Sequence, residues 1–256
     1  MSDGAAALNT AFQDYLLPVN FTPEQLHLHI AFNDVDPALS PIWFDDEGNV
    51  IAAALLGVRG KRGWIGGFGV APHYRKQGYA KALIEHVLRM AHEQGLETVA
   101  LEVLSENAPA LGVYGNARFE ITRRLFSFEA LAAQSQMPDG FKYVDPDDLV
   151  DAPEPAHPCW QREPATLRNG AVSSAVSNGE CTYALFRFNA ALAQILKFNA
   201  ENPQSLNALS HAMSSDGGFE RLFILNEPEE SPLAAYARQA GWTERFTQYE
   251  MLARLA

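Results

Sequence analysis

The chain has 256 residues, enough for one large domain or two of ordinary size. Hydrophobic residues make up 47% and charged residues 20%, the balance of a soluble chain with a buried core, and a net charge of -12 argues against nucleic acid as a partner. Two cysteines without histidines at ligand spacing exclude a disulfide framework and a zinc site, no stretch nears the ~20 apolar residues of a membrane span, and the N-terminus lacks a signal-peptide pattern, so a cytoplasmic location is expected.

Residues 5–16 place Ala, Leu and Phe at helical intervals, and the helix should stop near Pro18. Thr22-Pro23-Glu24-Gln25 reads as a capped helix start, with Pro at the first position and Gln at the third. His27 and His29 on that helix point to different sides and cannot share a metal, so both read as surface histidines. Residues 41–44 form a short strand, 45–49 a hairpin turn, and 50–58 an apolar strand covered on both faces. After Gly63 a Gly-rich apolar strand, WIGGFGV, runs through a Pro turn into Arg75-Lys76-Gln77-Gly78-Tyr79-Ala80. A helix follows, with Leu83, Ile84, Val87, Leu88 and Ala91 on one face and Gly95 as its end. Residues 97–104 give the next strand, 109–117 a short helix and 120–128 a strand. A strand that delivers a Gly-bearing, cationic turn to a helix N-terminus suits phosphate, because free N–H groups and the helix dipole converge there; an ordinary solvated turn is the plain alternative.

Residues 129–147 are polar and broken by Pro and Gly, and read as a linker and the start of a second domain. Beyond the Pro-rich loop at 151–158, three strands (171–176, 182–188, 193–198), a helix (205–214), a strand (220–225), a helix (232–240) and a last strand (242–252) follow. This second half repeats the first: PLAAYARQAGWTERFTQYE echoes PALGVYGNARFEITRRLFSFE, and FERLFILNEPEE echoes ETVALEVLSEN. The basic loop does not repeat. Its counterpart, NAENPQS at 199–205, has neither Gly nor cation, and Ala237 stands where the first half has Tyr114. The expected architecture is α/β (α+β): two tandem domains, 1–128 and 148–256, each a mixed, mostly antiparallel sheet flanked by helices.

Val70-Ala71-Pro72 followed by Arg75-x-x-Gly78-x-Ala80 resembles the acetyl-CoA motif of the GNAT superfamily of N-acetyltransferases. Leu101-Glu102-Val103, Asn107 and Tyr114 follow at the family's spacing, with Phe119 five residues after Tyr114. The resemblance covers roughly residues 40–128, and it makes the second half a degenerate copy. It implies acetyl-CoA as cofactor. Phe68, Gly69 and Val70 would hold the acyl arm on a strand splayed from its neighbour. Arg75, Lys76, Gln77, Gly78, Tyr79 and Ala80 would hold the pyrophosphate, mainly through backbone amides. Gly66, Gly67 and Gly69 would permit close approach of the ligand or of another backbone, or simply mark a bulge. Asn107 would reach the pantetheine arm, cap a helix, or both. Tyr114, a phenol, would contact the cofactor and return a proton to the leaving thiolate. The strand before the loop lacks the carboxylate that some members carry. Glu102, at a spacing similar to that of ribosomal-protein alanine acetyltransferases, is the substitute base, unless strand alternation puts it on a solvated face. Arg118 departs from the family, which usually has Gly before the Phe.

The implied activity is direct acetyl transfer to a primary amine, on a small molecule or a peptide, through a ternary complex. A non-catalytic CoA or acyl-CoA binding module, or a scaffold protein, stays open beside it. Neither nucleic acid nor membrane is expected as a partner, and a homodimer is the candidate assembly.

Overall fold

A computed structural model describes residues 2–14, 20–133, 135–215 and 218–255. The chain divides into two compact units, Met1–Thr122 with Tyr249–Ala256, and Arg123–Gln248. Both contain the expected mixed, mostly antiparallel sheet flanked by helices. These units differ from the boundaries drawn on the sequence: the second begins at Arg123 rather than after residue 128, and the last strand, expected wholly there, ends in the first.

The first unit opens with α1 (Ser2–Ala11), earlier than the helix drawn over 5–16, whose expected end near Pro18 lies outside the described residues. In α2 (Pro23–Phe32) the capping box forms as read: Thr22 Oγ1 accepts from the Gln25 N–H at 3.2 Å and Gln25 Oε1 from the Thr22 N–H at 2.9 Å. Strands β1 (Ile42–Phe44), β2 (Val50–Arg59) and β3 (Arg62–Val70) pair antiparallel in succession. The apolar run of β2 serves two cores by alternation. Ala52, Ala54 and Leu56 pack on the side of α3 (Tyr79–Glu93), with its Leu83, Ile84, Val87 and Ala91. Ala53 and Leu55 pack with Ala5, Leu8 and Ala11 of α1 and Leu26 of α2. Each fully buried Leu, Ile or Val there contributes roughly 1.5–3 kcal/mol. Then come β4 (Thr98–Leu104), α4 (Ala108–Asn116) and the start of β5 (Glu120–Leu131).

What positions the site is a fault in the pairing of β3. Against β2 the register runs Leu56↔Ile65 and then Leu55↔Gly67, so Gly66 is an extra, bulged residue. Against β4 the parallel pairing runs only from Arg62↔Thr98 to Ile65↔Leu101, and so ends where the bulge begins. Beyond it, β3 stays with β2 as far as Val70, while β4 continues to Leu104 unpaired with β3. A bulge sharpens local twist and bends the strand, which opens the sheet between β3 and β4.

The second unit holds the rest of β5, β6 (Lys142–Tyr143), a helical turn α5 (Pro164–Thr166), β7 (Ser174–Ser177), β8 (Tyr183–Phe188), β9 (Leu192–Asn199), α6 (Pro203–Met213), β10 (Arg221–Pro228), α7 (Pro232–Gln239) and the first part of β11 (Thr243–Arg254). Its one parallel pair among those described, β9 with β10, matches β3 with β4. Phe128, Phe186, Phe198, Leu209 and Leu222 are fully buried between sheet and helices. No described helix is long and apolar enough to cross a membrane.

Candidate active site

The opening between β3 and β4 is a cavity of about 560 Å³, lined on one strand by Phe68, Gly69 and Val70 and on the other by Glu102 and Val103. Arg75, Lys76, Gly78 and Ala80 line it from the loop and helix start, and Asn107, Val113 and Tyr114 from α4 and its approach. Of the residues singled out on the sequence, the structure leaves Gln77 and Tyr79 out of this cavity. Gln77 Nε2 donates to the His73 carbonyl at 2.8 Å, and the Tyr79 ring packs edge-on against Tyr74 at 5.9 Å, so both side chains brace the loop.

Two glycines of β3 follow the readings made for them: Gly66 is the bulge, and Gly69 lets another backbone approach while it lines the cavity. A Cβ at Gly66 would fall 2.1 Å from the Trp64 ring, and one at Gly69 would fall 2.7 Å from the Ala11 carbonyl oxygen. The room they leave is therefore filled by the protein: an indole on the bulge, and the end of α1 against the open strand.

The loop is held from beneath. Arg75 lies on the cavity edge, but its guanidinium donates to the Val70 carbonyl at 2.9 Å and to the Gln13 carbonyl, so it ties the loop to β3 and to the end of α1. Lys76 and Gly78 both take positive φ, 61° and 91°, which only glycine adopts freely. Gly78 is the N-cap of α3, and among the described residues no side chain caps that terminus. The first N–H groups of a helix have no acceptor inside it, so an uncapped start beside an exposed Lys76 presents donors and positive potential to the cavity. Lys81 lines the cavity and lies 3.9 Å from Glu85.

Asn107 is the N-cap of α4, its side-chain oxygen accepting from the Ala110 N–H at 3.2 Å, while it also lines the cavity. Tyr114 is buried between Phe68, edge-on at 5.7 Å, and Phe119 at 5.8 Å. The other open choice, the face taken by Glu102, falls to the cavity: its Oε2 accepts from Trp64 Nε1 at 2.8 Å. Trp64 carried no functional signal in the sequence, since one buried Trp in an apolar strand reads as core. His29 departs from the surface reading. It packs between Phe21 at 5.5 Å and Trp64 at 5.9 Å, on the face of α2 turned to the sheet, whereas His27 is exposed.

Beside the loop, the turn Asp45–Asn49 puts Asp45, Asp46 and Glu47 on a second, acidic cavity that shares Tyr74 with the first. The Tyr74 hydroxyl donates to Asp45, and this bond, with those from Asn49, holds the Asp45 carboxyl down to about 2. The same bond pushes the Tyr74 phenol up to about 12.

In the second unit the counterpart of α3 is α6, and its N-terminus is closed. Asn202 caps it, accepting from the Ser205 N–H at 2.9 Å, and Pro203 removes a donor at the first position. Ala237 holds the place of Tyr114 by backbone bonding as well as by sequence. The Trp242 N–H donates to the Ala237 carbonyl at 3.0 Å, as the Phe119 N–H donates to the Tyr114 carbonyl at 3.0 Å.

Residues 6–118, which hold the split sheet, the uncapped helix start and the Arg-x-x-Gly-x-Ala loop, match the model of the acetyltransferase (GNAT) family. The first unit belongs to that family. The chain is 32% identical over 119 residues to the mycothiol acetyltransferase of Clavibacter michiganensis subsp. michiganensis (strain NCPPB 382), covering 46% of this chain and 39% of that protein. It is 32% identical over 72 residues to the ribosomal protein bS18-alanine N-acetyltransferase of Escherichia coli (strain K12), covering 28% and 49%. The chain thus spans less than half the length of these curated relatives. Across nearly the whole chain the fold is similar to a tandem GNAT protein from the clavulanic acid biosynthesis pathway, with a TM-score of 0.65, 14% identity and coverage of 100% and 95%. It is also similar to a GCN5-related N-acetyltransferase from Sphaerobacter thermophilus, with a TM-score of 0.73, 14% identity and coverage of 98% and 91%. Those two likenesses extend the fold to the second unit.

Proposed function

We propose that this chain is an acetyl-CoA-dependent N-acetyltransferase acting on a primary amine through a ternary complex, with one working site, in the first unit. The observation that carries the reading is the junction of three features at one cavity: the open β3–β4 edge, the uncapped start of α3, and the Glu102 and Tyr114 side chains. The residues fit the cofactor. Free helix N–H groups with Lys76 suit a pyrophosphate, and the apolar walls of Phe68, Val70, Val103 and Val113 suit a pantetheine arm. When bound, acetyl-CoA supplies an acetyl thioester whose C–S bond breaks as the acetyl–nitrogen bond forms.

This chain's own groups handle the protons and the alignment. Glu102, steadied by the Trp64 indole, accepts the proton that the amine must lose. The Tyr114 phenol donates one to the departing thiolate, so the two transfers balance. Rings on both sides of Tyr114 fix its direction, and a proton transfer gains from an orientation set in advance. The two curated relatives name mycothiol and a ribosomal-protein alanine as their fields of action, and both reactions fit an amine acceptor.

Calorimetry with acetyl-CoA, followed by thiol release across a panel of amines and peptide N-termini, tests the reading. We expect saturable binding and acetylation of at least one amine class, with Tyr114→Phe lowering kcat by about 10²-fold at nearly unchanged acetyl-CoA affinity. An absence of binding at millimolar acetyl-CoA rejects the function. Binding without turnover on any amine would favour a CoA-binding module instead. An unchanged kcat in the Phe variant rejects the acid role of Tyr114.

A further inference from the structure

The second unit repeats the pairing fault of the first, residue for residue. Against β8 the register of β9 runs Phe186↔Ile195 and then Leu185↔Lys197, so Leu196 is the bulged residue, as Gly66 is in β3. The parallel pairing of β9 with β10 ends at Ile195↔Ile224, as that of β3 with β4 ends at Ile65↔Leu101. Past that point two strand edges face one another without a ladder. In the first unit the gap is open cavity.

In the second unit the gap holds a side chain. Arg162, from the turn Trp160–Arg162, is 2% exposed. Its Nε donates to the carbonyl of the bulged Leu196 at 2.9 Å. Its Nη1 lies 2.6 Å from Glu227 Oε2 and 3.4 Å from each of the Leu225 and Asn226 carbonyls. One planar fork thus joins the loose edge of β9 to that of β10. Nη2 lies 3.5 Å from Glu154, whose other oxygen is 3.7 Å from Lys197 Nζ; Lys197 also donates to the Val150 carbonyl at 2.7 Å. Two cations therefore face two carboxylates, and the buried cluster has no net charge. Burial works against the charge on Arg162, and Glu227 and Glu154 more than offset it, so its pKa is raised. The guanidinium also lies 5.6 Å from the centre of the Phe198 ring, the residue equivalent to Phe68, which in the first unit meets Tyr114.

We infer that the cleft of the second unit is a guanidinium site occupied by the chain's own Arg162, and that this internal occupant bars an acyl-CoA arm from it. The capped start of α6 removes the phosphate end of the site; Arg162 removes the acyl end. The missing groups at Ala237 and Leu225, which stand for Tyr114 and Glu102, follow from a gap that no substrate enters. The part about acyl-CoA rests on the function proposed above; the guanidinium site does not.

Two measurements test it. Hydrogen exchange on the full chain with acetyl-CoA should show protection in residues 66–80 and 102–114 and none in 195–205 or 224–231; protection of the latter pair overturns the inference. If acetyl-CoA protects neither, the proposed function fails, and the second measurement still decides the guanidinium site. Arg162→Ala should lower Tm by several degrees, and millimolar methylguanidinium should restore much of that loss while methylammonium and sodium chloride do not. Equal rescue by all three, or no loss of Tm, overturns it. Should the Ala variant not fold, Arg162→Lys keeps the charge without the fork: it is expected to lose stability as well, and a Lys variant as stable as the parent overturns the inference.

Discussion

The indole of Trp64 does two things at once: its ring covers the bulge at Gly66, and its N–H donates to the carboxylate that faces the cavity. Those duties separate in Trp64→Phe, which keeps an aromatic ring over the glycine and removes the donor. A hydrogen bond to a carboxylate favours its ionised form, so its loss should move the acid limb of the kcat/KM profile to higher pH. We expect kcat to fall about tenfold, the worth of ~1.4 kcal/mol, with acetyl-CoA affinity held. A rate loss without movement of the acid limb would make Trp64 a packing residue only. Glu102 itself was visible in the sequence, but its direction was not. Alternation between Leu101 and Val103 says that it leaves their face, and only the indole of a residue 38 positions away says what it meets there. Arg75 was legible as part of the loop for its charge, yet its two carbonyl partners make it a brace. The Gln13 carbonyl lies 62 positions away, too far in sequence to betray this.

The end of α4 shows how an element survives the loss of its usual residue. The Phe119 N–H donates to the Tyr114 carbonyl and the Arg118 N–H to the Gly115 carbonyl, the bond pattern of a Schellman stop. Its C′ position needs a left-handed residue, and Arg118 supplies it at φ 65°. The same stop on α7 has Gly241 at φ 81°, with Trp242 bonded to Ala237 and Gly241 to Arg238. So the departure at residue 118 keeps the turn, and Arg118 does not line the cavity. Left-handed geometry costs a side chain roughly 1–2 kcal/mol, and glycine gives part of that back as unfolded-state entropy. Arg118→Gly should therefore stabilise the chain by about 0.5–1 kcal/mol in urea unfolding, with acetyl-CoA affinity unchanged. Elements whose ends carry local signals were readable this way: Thr22, Asn107 and Gly95 each mark a terminus within a few residues of themselves. The bulge at Gly66 was not, because a register shift depends on the partner strand. The plug at Arg162 was not either, since its partners Glu154, Leu196 and Glu227 are joined only by the fold.

At the scale of the molecule, each repeat finishes its last strand in the other repeat's unit. Strand β5 begins in the first unit and passes at Arg123 into the second; β11 begins in the second and passes at Tyr249 into the first. The repeat itself was plain in the sequence, but this exchange was not, because the alignment of the halves assigns each strand to the half that carries it. The family match, which ends at residue 118, stops short of it too. The consequence is energetic. Met251 and Ala253 are 3% and 2% exposed and belong to the same core as Leu83, Val87 and Leu101, while the Leu255 N–H donates to the Glu97 carbonyl at 2.9 Å. A chain ending at Gln248 keeps every residue of the candidate site and loses that strand end. Losing a buried Met side chain alone costs roughly 2–5 kcal/mol, a large share of a domain's ~5–15 kcal/mol. We therefore expect the shortened chain to open its first unit at lower urea than the parent. Limited proteolysis with mass mapping should place the early cuts within residues 1–122, while 123–248 stays protected, and acetyl-CoA binding should fall with the first unit. Equal urea midpoints and equal binding in the two chains would show that the first unit stands without its C-terminal strand, and that the boundary read from the repeat suffices.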